Sequence, residues 1–177
     1  GVQTCALPIL LTLLSQFKKI GINLSLDGMD EVAYIQRTPS NWKQIEKNVD
    51  LIYSWVNEYK QNNTVTSNNK PIVLINSVVT SMNLHHIVKF WSYMFKKYPE
   101  NLGLGFSPIV DESDNHSIAM VPKVIVKQLL DEFLAVKKQF NVEHGNIKMQ
   151  MDKFEYWLRQ DIYADTFDDI HYMIDQL

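Results

Sequence analysis

Three short apolar runs, IGINLSLDG, PIVLINSVVT and NLGLGFSPIV, are separated by stretches whose apolar residues return every three or four positions. Strand-like runs alternating with amphipathic helices make βα units, and such units join parallel strands through helical crossovers. The order therefore predicts an α/β fold. A doubly wound sheet and part of a β/α barrel both satisfy it, and in each the ligand sits at the carboxyl ends of the strands. Here those ends are SLDG, NSVVTSMN and SPIVDES.

The helices are legible from their spacing and their ends. A Leu-rich segment from Ile9 to Phe17 closes on Lys18-Lys19, cations that suit a helix carboxyl end, and Gly21 breaks it. Asn41 is expected to cap a helix whose inner stripe is Trp42, Ile45, Val49, Ile52 and Val56. PIVLINSVVT has the β-branched density of a strand buried on both faces. Asn83 is expected to cap a helix running to about Lys97, with Leu84, Ile87, Trp91 and Met94 inward and Pro99 just beyond its end. Pro122 suits the first turn of a helix reaching about Phe140, with Val126, Leu129, Leu130, Phe133, Leu134 and Val136 along its apolar face. Two further helical segments, 147–163 and 166–177, close the chain.

Composition excludes several classes. A chain with 46% apolar residues, eight Phe, eight Tyr and four Trp builds a core and is not disordered. A net charge of −3 with interspersed signs offers no footprint for a nucleic-acid backbone or an acidic membrane. Nothing approaches the roughly 18 uninterrupted apolar residues of a membrane helix. Cys5 is the only cysteine, which rules out a disulfide framework. The opening GVQTCALPI has no basic region and no cleavage site, so it does not read as a signal peptide. Codon by codon it matches the read-through of a common sequencing adapter, and residues 1–9 are expected to be a non-native leader. Asn62-Asn63-Thr64 and Asn115-His116-Ser117 match the glycosylation sequon but read as polar loops. The expected location is the cytoplasm.

Ser25, Asp27, Gly28 and Arg37 are the first candidates for chemistry. Strand alternation predicts Ser25 and Asp27 on one face near the ligand end, with a following helix returning Arg37 to the same rim. An Arg beside a hydroxyl receives a carboxylate well, since each charge-assisted bond is worth about 1.5–3 kcal/mol. The plainer alternative makes Asp27 a helix cap and Arg37 a solvated surface residue. Neighbouring His85 and His86 point apart on a helix and lack the spacing of a metal pair. Asp111, Glu112 and Asp114 read as a solvated acidic loop without the alternation and Gly of a calcium site. Gly103-Leu104-Gly105 is too short for a dinucleotide fingerprint. Met149, Met151, Phe154, Tyr156 and Trp157 read as core or as a covered surface.

Taken together, INLSLDG, AYIQRTPSNWKQIEKNV and KPIVLINSVVTSMNLHHIVKFWSYM resemble the later half of a radical S-adenosylmethionine enzyme, most closely the kind that carries a short carboxyl-terminal twitch domain. The shared pattern is a strand ending Ser-x-Asp-Gly, then Tyr-Ile and Arg37, then Trp42 five residues on, then a helix carrying Asn48. Val79 to Asn83 continues it as Val-x-x-x-Asn, and FDDIHYMIDQL is similar to the region near the family's chain end. The likeness covers residues 10–122 with decreasing strength. Gln36 stands as one residue more than the pattern has between Tyr-Ile and Arg.

The resemblance implies a partial parallel β/α barrel over residues 10–140 and a helical carboxyl-terminal segment over 141–177. It implies that Ser25 and Arg37 help hold the carboxylate of S-adenosylmethionine, that Asp27 and Gly28 shape the turn, and that Asn76, Ser77 and Thr80 face the ribose or substrate. Members bind a four-iron four-sulfur cluster through Cys-x3-Cys-x2-Cys and use it to release a 5′-deoxyadenosyl radical that abstracts a hydrogen atom. Cluster ligation needs thiolates. With Cys5 alone, the resemblance implies a fragment inactive by itself, whose intact parent acts on an unidentified small-molecule substrate. A second reading, from another class, is a non-catalytic α/β domain that binds a partner or a small anion.

Overall fold

The computed structural model describes residues 2–63, 71–99, 102–110, 116–139 and 146–165. Helix α1 (Val2–Leu14) leads into strand β1 (Gly21–Ser25), a short helix α2 (Asp30–Gln36) and the long helix α3 (Trp42–Asn62). Strand β2 (Ile72–Val79), helix α4 (Leu84–Lys97) and strand β3 (Leu102–Pro108) follow. A 3₁₀ turn (Ile118–Met120) and helices α5 (Lys123–Gln139) and α6 (Asn146–Leu158) complete the described chain. The expected segment 166–177 and the acidic loop at Asp111, Glu112 and Asp114 lie outside the described residues.

The three strands are parallel in the order β1-β2-β3, with Ser25 opposite Asn76 and Asn76 opposite Gly105. The fold is α/β, as the alternation predicts. Strand order follows chain order without reversal, so the described sheet has no topological switch point of the doubly wound kind.

One face of the sheet is packed. Val73, Ile75, Ser77 and Val79 of β2 and Leu102, Leu104 and Phe106 of β3 are buried beneath helices that bring Val56, Phe90, Trp91, Met94, Phe133, Met151 and Phe154 into one core. Phe154 meets Trp91, Phe106 and Phe133 edge to face, with ring centroids 4.8, 5.3 and 5.1 Å away. The offset geometry suits the ring quadrupoles.

The other face is open, which corrects the expectation that β2 is buried on both sides. Ile72 is 58% and Val78 37% exposed, Asn23, Ser25 and Ser107 are exposed, and Leu74, Asn76, Gly103 and Gly105 are half-buried. Parallel sheets are ordinarily covered on both faces. The mistaken expectation has a physical cause: Ile72 and Val78 are as β-branched as Val73 and Val79, so strand propensity alone does not report which face is covered.

Helix ends follow the local chemistry only in part: α1 runs from Val2 and stops at Leu14, short of the expected Phe17 and its Lys18-Lys19, and α2 has no side-chain cap. Asn41 caps α3 as expected, its Oδ1 accepting from the Gln44 N–H at 3.2 Å. Asn83 stands before α4 but makes no side-chain cap, because its amide is turned back to the strand ends. No helix among the described residues is long and apolar enough to cross a membrane.

Candidate functional site

The carboxyl ends of β1 and β2 are tied by a small set of buried polar side chains. Asp27, Ser77, Thr80 and Asn83 are all buried, and each is hydrogen-bonded. Asp27 Oδ1 accepts the Val78 backbone N–H at 2.7 Å, and Oδ2 accepts the Arg37 Nε–H at 2.6 Å. Asn83 donates from Nδ2 to the carbonyls of Asp27 and Val78, both at 2.8 Å, and its Oδ1 accepts the Thr80 N–H at 2.7 Å. Ser77 donates to the Leu26 carbonyl at 2.6 Å and accepts from Trp91 Nε1 at 3.4 Å. A buried polar group left unpaired costs about 1–3 kcal/mol, so this knot stands because its members satisfy one another.

The knot decides which predicted residues remain available. Asp27 does not cap a helix, since Met29 holds the cap position of α2 and offers no side-chain bond. Nor does it share the open face with Ser25: β1 ends at Ser25, the chain turns, and Asp27 is buried while Ser25 is exposed. Thr80 Oγ1 accepts from Gln36 Nε2 at 3.1 Å and from the Met82 N–H at 3.2 Å, and lies 3.4 Å from Asn83 Oδ1. Its single donor and two acceptor positions are thereby taken. The additional residue Gln36 thus serves as a strut between the end of α2 and the turn after β2.

Ser25 and Asn76 are placed differently. They are paired across β1 and β2 on the open face, and neither side chain has a hydrogen-bond partner among the described residues. A Cβ on Gly105 would stand 2.8 Å from Asn76 Oδ1, so the glycine leaves the room in which the amide lies. Arg37 closes the rim. Its side chain is 49% exposed, and its Nε uses one corner of the guanidinium fork on Asp27. The Nη donors remain for a second acceptor. Among the described residues, Ser25, Asn76 and the outer edge of Arg37 are therefore donors left free at this end of the sheet, while Asp27 orients the Arg.

His86, which the sequence excludes from a metal pair with His85, has a backbone partner. Its Nε2 accepts the Met29 N–H at 3.4 Å, and its Cδ2 would lie 3.4 Å from a Cβ on Gly28. A backbone N–H can only donate, so this ring is neutral at Nε2, and burial holds its pKa below the ordinary 6.5. His85 is 6.3 Å away, centroid to centroid. No group of three or more His, Cys, Asp or Glu among the described residues is placed to hold a metal ion.

Sequence reasoning named the rim residues and the members of the knot, but not the bonds that tie Asp27, Ser77, Thr80 and Asn83 into the strand ends. Ser77, expected to face the ribose or substrate, is instead buried on the packed face of β2, held by the Leu26 carbonyl and the Trp91 indole. Nothing local announces that Asn83 reaches back across two strand ends, because its partners lie up to 56 positions away. Comparisons with known protein families, with curated proteins and with solved structures find no match to this chain.

Proposed function

We propose that this chain supplies the cofactor-carboxylate side of a radical S-adenosylmethionine enzyme, as part of a parallel β/α barrel whose inner surface is the open face of the sheet. The observation that carries the reading is the pairing of Ser25 with Asn76 on that face, neither side chain hydrogen-bonded among the described residues, at the same strand ends where Asp27 orients Arg37. A hydroxyl, an amide and a forked cation at the carboxyl ends of parallel strands form a receptor for an amino-acid carboxylate and a sugar hydroxyl.

S-adenosylmethionine fits these donors. Ser25 and the Nη groups of Arg37 would hold its carboxylate, and Asn76 would meet the ribose; Thr80 and Asp27 would act behind them as supports. The iron–sulfur cluster does not fit, because the chain has one cysteine and a four-iron cluster needs several thiolates. The role of these residues is binding and orientation of the cofactor. Given an electron from an iron–sulfur cluster held by residues other than these, that cofactor would supply the radical that takes a hydrogen atom from a substrate.

Titration calorimetry with S-adenosylmethionine tests the reading. The chain is expected to bind it, and Arg37→Ala to weaken binding by about 1.5–3 kcal/mol, roughly 10- to 150-fold in Kd. Unchanged affinity in that variant removes Arg37 from the site. No binding at millimolar concentration overturns the reading in favour of a non-catalytic α/β binding domain.

A further inference from the structure

The helix that carries Arg37 is held at its other end by an imidazole. Met29 occupies the cap position of α2 without any side-chain cap of its own, and its N–H is taken by His86 Nε2 from α4. Asp30, the next residue, has a φ of 52°, a left-handed conformation that a side chain with a Cβ adopts at some cost. From there one ladder of backbone hydrogen bonds runs the length of the helix. The Met29 carbonyl accepts the Ala33 N–H at 3.3 Å, and the Ala33 carbonyl accepts the Arg37 N–H at 3.1 Å. Asp27 and Arg37 close the loop, and Gln36 and Thr80 brace it.

We propose that α2 is a pH-released arm of the candidate site: a proton on His86 removes the acceptor that holds the Met29 N–H, frees the amino end of the helix, and loosens Arg37 from Asp27. Its bearing on cofactor binding rests on the reading above; the device itself does not. A protonated imidazole carries N–H on both nitrogens and has no lone pair for an amide. It would also set a positive charge against the amino end of a helix, the wrong sign for the peptide dipoles there.

The groups around the ring set the direction. Burial is the largest influence and disfavours the cation; His85 and Lys89 on the same helix act alike, and Asp30 on α2 opposes them. The folded-state value is therefore below the ordinary 6.5. Stabilisation by the neutral ring is complete above 6.5, declines as the pH falls from there to the folded value, and the arm is released below it.

Nuclear magnetic resonance of the labelled full chain tests this without cofactor. Between about pH 7.5 and 5, the His86 ring, the Met29 amide and the Arg37 Nε–H are expected to move with one shared midpoint below 6.5. His86→Gln keeps an acceptor that does not titrate, and should leave the Met29 and Arg37 signals unmoved over the same range. Lys89→Gln, a change at an exposed position, should raise the shared midpoint. An Arg37 signal that stays fixed while His86 titrates, or moves equally in His86→Gln, overturns the proposal. Failure to bind S-adenosylmethionine at pH 7.5 with the shared midpoint intact would refute the cofactor reading and leave the arm standing.

Discussion

Asp27 and Arg37 meet at 2.6 Å with opposite exposures, the carboxylate 6% accessible and the guanidinium side chain 49%. The asymmetry assigns their work. Asp27 has its second oxygen on the Val78 N–H, so it belongs to the protein interior, whereas Arg37 presents its remaining donors to solvent. Asp27→Ala strands a backbone N–H at the end of β2 and should lower the unfolding free energy by about 1–3 kcal/mol in urea denaturation. Asp27→Asn, which keeps an acceptor for Val78 and gives up the charge, should cost distinctly less. Equal losses in the two variants would show that the Val78 bond contributes nothing.

Asn83 is the most heavily committed side chain of the knot, fully buried, with Nδ2 on two carbonyls and Oδ1 on an N–H. Asn83→Ala removes these three bonds and the longer one from the Thr80 hydroxyl and adds a void, so a loss of about 3 kcal/mol is expected. Asn83→Asp should be at least as damaging, since a carboxylate would face the Asp27 and Val78 carbonyls with no hydrogen to offer. A denaturation midpoint for Asn83→Asp matching the parent would contradict the observed donor directions.

How much of this was legible depends on distance along the chain. The strands, the cap at Asn41 and the inward stripe of α3 are written in residues three to eight positions apart, and the structure places them as read. The covered face of the sheet was not legible. In IVLINSVV both parities are apolar, and the polar pair Asn76-Ser77 gives no sign that Ser77 is the buried member. It is buried because the Leu26 carbonyl and the Trp91 indole meet it there, 51 and 14 positions away. The rim candidates Ser25 and Arg37 came from local pattern, while their sorting into free and engaged groups came from contacts that no local pattern holds.

Gly105 separates binding from folding. A methyl there would lie 2.8 Å from Asn76 Oδ1, the far end of a side chain on the open face, so the amide can swing aside. Gly105→Ala should keep the melting temperature within a few degrees, helped by the smaller entropy of the unfolded chain. Under the proposed function its affinity for S-adenosylmethionine should fall several-fold. A large drop in melting temperature would instead make Gly105 a structural requirement of β3.

Phe154 carries α6 onto the sheet. It is 2% exposed and touches aromatic rings from β3, α4 and α5. Phe154→Ala should cost about 3–5 kcal/mol, in the range for emptying an aromatic site in a core. Phe154→Leu, which refills most of the volume, should recover more than half of that loss in the same denaturation assay. Little loss in Phe154→Ala would mean that α6 is not part of the cooperative unit.

Lys97 holds the opposite end of the α3–α4 interface through Glu46 at 2.7 Å and Asp50 at 3.0 Å, with Tyr93 on Glu46 and Tyr98 on Asp50. Its hydrogen bond and that of Tyr93 hold Glu46 below the ordinary 4.5. Asp50, pushed up by burial, is brought below 3.8 by its bonds to Tyr98 and Lys97. Carboxylates depressed in the folded state contribute stability above their ordinary values and lose it as the pH falls through the folded ones. Lys97→Met takes away the cation that depresses both, so its stability should decline less steeply than the parent's between about pH 4.5 and 3. At pH 7 the variant should cost about 1 kcal/mol, because the pairs are partly exposed and screened. Denaturation curves across that acid range decide it: converging parent and variant stabilities support the network, and parallel ones show that Lys97 is bound to these carboxylates without stabilising them.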